Sequence, residues 1–143
     1  MSATVLYTPQ ALALATSLAR FPWDESLPLH GSARSRSCGS TVTLGLATDS
    51  AGRIEQIGLK SSACAIGQAA AAIFAAAAPG RDGRDLADAE RAISAWLAGE
   101  GPLPDWPGLE AIAAARDYPG RHGAILLAWQ AARDLLFTGW LRG

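Results

Sequence analysis

Cys38 and Cys64 are the two cysteines of this 143-residue chain, and thiol chemistry is the most specific chemistry its residues offer. Four uses are open to such a pair: soft metal ligands, reactive thiols, a disulfide, or two small hydrophobes. A metal site wants three or four donors, and zinc or iron–sulfur chemistry prefers thiolate and imidazole. His122 is the best candidate for a third donor, and His30 is the other. The disulfide is the weakest use, because no basic-then-apolar export signal opens the sequence and cytoplasmic thiols stay reduced. A thiol enzyme built on Cys64 lacks an identifiable base, and no Ser/His/acid spacing argues for a serine nucleophile. No glycine-rich loop with a lysine follows a strand, so nucleotide binding is disfavoured.

The elements that must position the cysteines are a hairpin and the helix that follows it. In TVTLGLAT, Val42, Leu44 and Leu46 alternate with Thr41, Thr43 and Gly45, and Asp49 to Gly52 has turn chemistry. RIEQIGLK returns as the second strand. Pairing Thr48 with Arg53 places Val42 opposite Leu59 and Leu44 opposite Ile57, with a bulge or a late start near Ile54. This register brings Cys38 opposite position 63, so the two cysteines are expected to be neighbours. AIGQAAAAIFAAAA then forms a helix, apolar all round and stopped by Pro79-Gly80, with Cys64 at its N-terminus. Unpaired N–H groups there favour an anionic sulfur.

Around this unit the pattern predicts a helix over Thr8 to Phe21, with Thr8 as N-cap, Pro9 at the first position and Leu12, Leu14, Leu18 and Phe21 inward. A connector follows, with a short edge strand near His30 to Arg34. Further helices are expected from about Arg84 to Ala98, over LEAIAAARDY, and from Arg121 to Thr138 with Gly139 as the stop signal. Trp96, Trp106, Trp129 and Trp140 suit helix packing better than a ligand cage. Arg34 and Arg36 beside Cys38 suit either contact with an acidic partner or, more plainly, a solvated loop.

Half of the residues are apolar and the formal net charge is -1, which describes a globular domain with no strong attraction to nucleic acid or anionic membrane. The longest apolar run, around Ala69 to Ala78, is too short to span a bilayer, and a cytoplasmic location is expected. Strand-then-helices order predicts an α+β fold with a small antiparallel sheet of about three strands packed against several helices.

Ser37-Cys38-Gly39-Ser40-Thr41-Val42, the hairpin, Ser62-Ala63-Cys64-Ala65-Ile66-Gly67-Gln68-Ala69 and Tyr118-Pro119-Gly120-Arg121 leading into Leu127-Ala128-Trp129 together resemble the NifU/IscU/SufU family of iron–sulfur cluster assembly scaffolds. The long segment after Cys64 looks more like the SufU branch. The resemblance spans nearly the whole chain and implies a single domain over 1–143 that is a scaffold, not an enzyme. It implies an iron–sulfur cluster or zinc as what is bound, and a cysteine desulfurase or other assembly proteins as partners, with a homo-oligomer open. In that family three cysteines and an aspartate hold the cluster. Cys38 and Cys64 match the first two cysteines, whereas Ser40 stands at the aspartate position and Ala124 at the third cysteine. The resemblance thus implies an incomplete ligand set of Cys38 and Cys64, with His122 as candidate third donor. The alternative is a protein-interaction module of the same fold that has lost cluster assembly.

Overall fold

The computed structural model describes residues 8–36 and 39–142, with backbone only for 137–142. Helix α1, Pro9–Ser17, begins as its sequence dictates: Thr8 is the N-cap, its side chain accepting the Ala11 N–H, and Pro9 occupies the first turn. The expected longer helix ends instead in a 3-10 turn, Leu18–Arg20. Its buried stripe also differs. Ala11 is buried, Leu14, Leu18 and Phe21 pack against the core, and Leu12 faces solvent.

Three strands follow: β1, Leu29–Arg34, β2, Thr41–Thr48, and β3, Ile54–Ser62. They form an antiparallel sheet in the order β1-β2-β3. The α+β expectation holds, and so does the edge strand near His30. The register does not: Val42 pairs with Ser61 and Leu44 with Leu59, two positions from the predicted partners. A slip of two leaves every side chain on the same face, so hydrophobic alternation cannot distinguish the two registers. A bulge between Ala47 and Thr48 leaves Glu55 outside the pairing and returns Ile54 to the core. The Ile54 N–H donates to the Arg81 carbonyl and the Ile54 carbonyl accepts from Gly80, tying this end of β3 to the turn beyond the next helix.

The turn between β2 and β3 is closed by Asp49, whose carboxylate accepts the backbone N–H groups of Arg53 and Ala51. The hydrogen bond from Arg53, joined by that from Ala51 and by the Arg53 charge, holds this carboxyl below its ordinary range despite some opposing desolvation. A depressed folded-state pKa contributes stability that is full above the unfolded value, about 3.9, and is lost as pH falls through the folded value. Thermal melts of wild type and Asp49→Ala are therefore expected to differ by a constant gap above about pH 5. The gap should close as the pH drops below about 4.

Helix α2, Ala65–Ala77, is buried on almost every side, as its alanine-rich composition requires. Helix α3, Gly83–Leu97, starts with a full capping box between Asp82 and Asp85 and buries Leu86, Ile93, Trp96 and Leu97. Segment Leu109–Asp117 is a 3-10 helix with a kink at Ile112 rather than the expected α-helix. Leu109, Ile112 and Ala115 are its buried residues, and their spacing of three is the 3-10 period. After a further 3-10 turn, Pro119–Arg121, helix α4 runs His122–Arg142, past the expected stop at Gly139. It packs on α2, α3 and the inner face of β1 and β2.

At the centre of the core Phe74, Trp106 and Trp129 form an aromatic triad with ring centroids 5.3 to 5.7 Å apart. Trp106 donates its indole N–H to the Ile73 carbonyl, and Arg81 lies over its ring. Trp96 is also buried, as expected of the tryptophans, while the Trp140 side chain lies outside the described residues. Among the described residues no helix is long and apolar enough to cross a membrane.

Candidate functional site

Cys64 is the N-cap of α2, in extended backbone conformation, and its side chain makes no capping hydrogen bond. Two bonds hold the strand-to-helix turn beneath it: Gln68 donates its backbone N–H to the Cys64 carbonyl and its side-chain amide to the Ala63 carbonyl. The thiol is free and half-buried at the mouth of the helix, the position predicted from the sequence. This geometry leaves the sulfur available for a soft ligand while the chain around it is fixed.

Cys38, with Ser37, lies outside the described residues, so its expected approach to Cys64 is not placed. The loop on either side of it is placed. Ser35 donates its N–H to the Ser40 carbonyl, Gly39 donates to the Ser35 carbonyl, and Gly39 takes the positive φ of 71° that only glycine accepts easily. This loop joins β1 to β2 where Thr41 pairs with Ser62, two residues before Cys64. Loop and helix mouth therefore share one end of the sheet. Ser40, in that loop, is buried and engaged.

Ala124 comes to the same place from α4. It is 2% exposed, and a Cβ built on Gly67 would stand 3.2 Å from the Ala124 Cβ and 2.8 Å from that of Ala63. Gly67 thus lets the first turn of α4 approach α2 one turn beyond Cys64. Sequence reasoning gave Gly67 and Ala63 no role in the site. The available signal was a glycine inside an otherwise alanine-rich helix, where it costs about 1 kcal/mol of helix propensity without a packing reason.

His122 opens α4, and its Nε2 lies 2.9 Å from the Arg116 carbonyl and 3.2 Å from that of Ala115. Carbonyl oxygens only accept, so Nε2 carries the hydrogen and Nδ1 is the nitrogen left with a lone pair. His30 is elsewhere: it is exposed on the outer sheet face beside Trp23, four strand positions, roughly 13 Å, from Arg34. Among the described residues no three Cys, His, Asp or Glu side chains come together as a metal site. The described donors alone therefore do not fit a closed four-ligand centre. Cys64 is a good donor, Ser40 carries a neutral hydroxyl, Ala124 carries none, and His122 offers Nδ1 while Nε2 is spent on backbone.

No family model and no curated protein matches the sequence. Solved structures do match. The chain is similar over its whole length to the whole of a nitrogen-fixing NifU-like protein (N-terminal) from Brucella abortus, at 26% identity and a TM-score of 0.90. A protein described as an iron–sulfur cluster assembly scaffold for the SUF system of Fervidobacterium islandicum AW-1 matches at 19% identity and a TM-score of 0.80, over 92% of this chain and 96% of that one. A third structure, of a hypothetical protein, matches at 18% identity and 0.67, over 89% and 96%.

Proposed function

We propose that this NifU/IscU/SufU-type chain is a non-enzymatic scaffold that handles iron–sulfur or metal cargo with an incomplete donor set, through Cys64 and Cys38. The observation that carries the reading is the free Cys64 thiol, without a capping hydrogen bond at the mouth of α2 and on the same sheet end as the loop that contains Cys38 in sequence. The Brucella and Fervidobacterium proteins, described as NifU-like and as a cluster assembly scaffold, support this class of activity. In this proposal a cysteine desulfurase or another assembly protein supplies sulfur in the cytoplasm. The donors missing at Ser40 and Ala124 come from His122 Nδ1, a partner, a second copy or an exogenous thiol. The cluster or zinc ion is cargo, held while it is built or passed on.

The buried Ala124 favours a second reading, an interaction module of the same fold without metal chemistry. One experiment separates the two. After anaerobic reconstitution with ferrous iron and sulfide, wild type is expected to develop sulfur-to-iron charge-transfer absorption, and Cys38→Ser and Cys64→Ser each to lose most of it. A colourless, iron- and zinc-free wild type, with partner binding indifferent to both substitutions, supports the second reading.

A further inference from the structure

The outer face of the sheet is not fully covered. Residues 21–28 lie across one half of it: a Cβ on Gly58 would stand 2.3 Å from the Pro22 carbonyl oxygen, and one on Gly45 would touch Leu27. The other half, next to the cysteine-bearing end, consists of two cross-strand rows, Ser32–Thr43–Lys60 and Arg34–Thr41–Ser62. Their inward neighbours Ala33, Val42 and Leu59 belong to or pack on the core, so strand alternation points these six side chains outward. Arg34 and Lys60 are exposed and have no ion pair among the described residues. Trp23 flanks the rows, with the Lys60 ammonium 5.0 Å from its ring centroid and His30 against it.

From this arrangement we infer that the open half of the sheet is a docking face for an acidic segment of a partner protein. The two rows carry two cations, four hydroxyls and no carboxylate in a chain whose net charge is -1. Of the two carboxylates of the covering segment, Asp24 is occupied by the Ser26 hydroxyl and N–H, and Glu25 is exposed. Exposed Arg36 extends the positive charge into the β1–β2 loop. Carboxylates laid across the rows would meet Arg34 in a paired fork, Lys60 as a point charge steadied by Trp23, and hydroxyl donors between them. The face ends two residues before Cys64, so a partner held here reaches the cysteine end without covering it. The inference rests on the scaffold reading only for why a partner docks at this end, and its test uses no metal.

The probe is a decaglutamate peptide titrated into the isotope-labelled, metal-free full chain at low salt, followed by amide chemical shifts. Shifts are expected at Ser32, Arg34, Thr41, Thr43, Lys60 and Ser62, with affinity falling about fivefold or more on raising salt from roughly 20 to 200 mM. The double variant R34E/K60E should lose the response while its spectrum stays dispersed. Absent shifts, shifts confined to the helices, or an unchanged response in the variant would overturn the inference. Tighter binding of a single-stranded DNA oligomer or of phosphatidylserine vesicles than of decaglutamate would overturn it too, by assigning the face to phosphates.

Discussion

Replacing Ser40 by aspartate and Ala124 by cysteine is expected to yield a protein that retains stoichiometric zinc through gel filtration, where the parent retains less. The reason lies in the packing around Cys64. Ala124 sits in the first turn of α4 with its Cβ directed at Gly67, one turn beyond Cys64, and the surrounding residues Ala63 and Gly67 are small. A thiol at 124 thus enters the space beside the helix mouth, and an aspartate at 40 arrives from the loop that Ser35 closes at the same sheet end. Four-ligand structural zinc sites bind with about 10–16 kcal/mol, and restoring two of four donors is expected to raise zinc affinity by about three orders of magnitude.

Competition against a chromophoric chelator measures that gain. A second readout follows from burial. Ser40 is 5% exposed, so a carboxylate there without metal is desolvated, and the double variant should melt below the parent when apo and above it with excess zinc. If zinc binds the double variant no more tightly than the parent, Cys64 does not belong to a donor set at this end, and the scaffold reading fails with it.

Trp129→Ala is expected to cost about 3–5 kcal/mol of folding stability, a large share of the 5–15 kcal/mol typical of a domain. Trp129 is fully buried, meets Phe74 and Trp106 edge-on, and stands five residues after Ala124 on the helix that closes the candidate site. Removing it leaves a cavity among the elements that bring α4 against α2. Its indole N–H has no partner among the described residues, so Trp129→Phe loses volume but strands no donor and should cost much less. Urea denaturation followed by circular dichroism measures both. Equal costs for the two variants would mean that the site collapses around either one.

Much of this architecture was legible because it rests on local rules. Thr8-Pro9 announced a helix start, Pro79-Gly80 a stop, the alternation from Val42 to Leu46 a half-buried strand, and the alanine run after Cys64 a helix buried on all sides. The misses are equally local in origin. Gly139 carries a stop signal that α4 ignores. Leu12 matched a helical stripe that Ala11 occupies instead, since the face of a short helix is chosen by what it lands on. The register was missed by two because alternation has a period of two and is blind to that slip.

For the site, residue types determined the chemistry on offer. Two thiols, a serine where the family resemblance implies an aspartate, and an alanine where it implies a third cysteine set the donor count before any coordinates, because a side chain either has a lone pair to give or has none. Only the tertiary structure decided how those residues meet. It leaves the Cys64 thiol free at a helix mouth, brings the donorless Ala124 against Gly67 one turn away, and spends His122 Nε2 on the Ala115 and Arg116 carbonyls. The Ala124–Gly67 contact joins residues 57 positions apart in sequence and arises from the approach of α4 to α2. No window of neighbouring residues contains the packing that sets that distance.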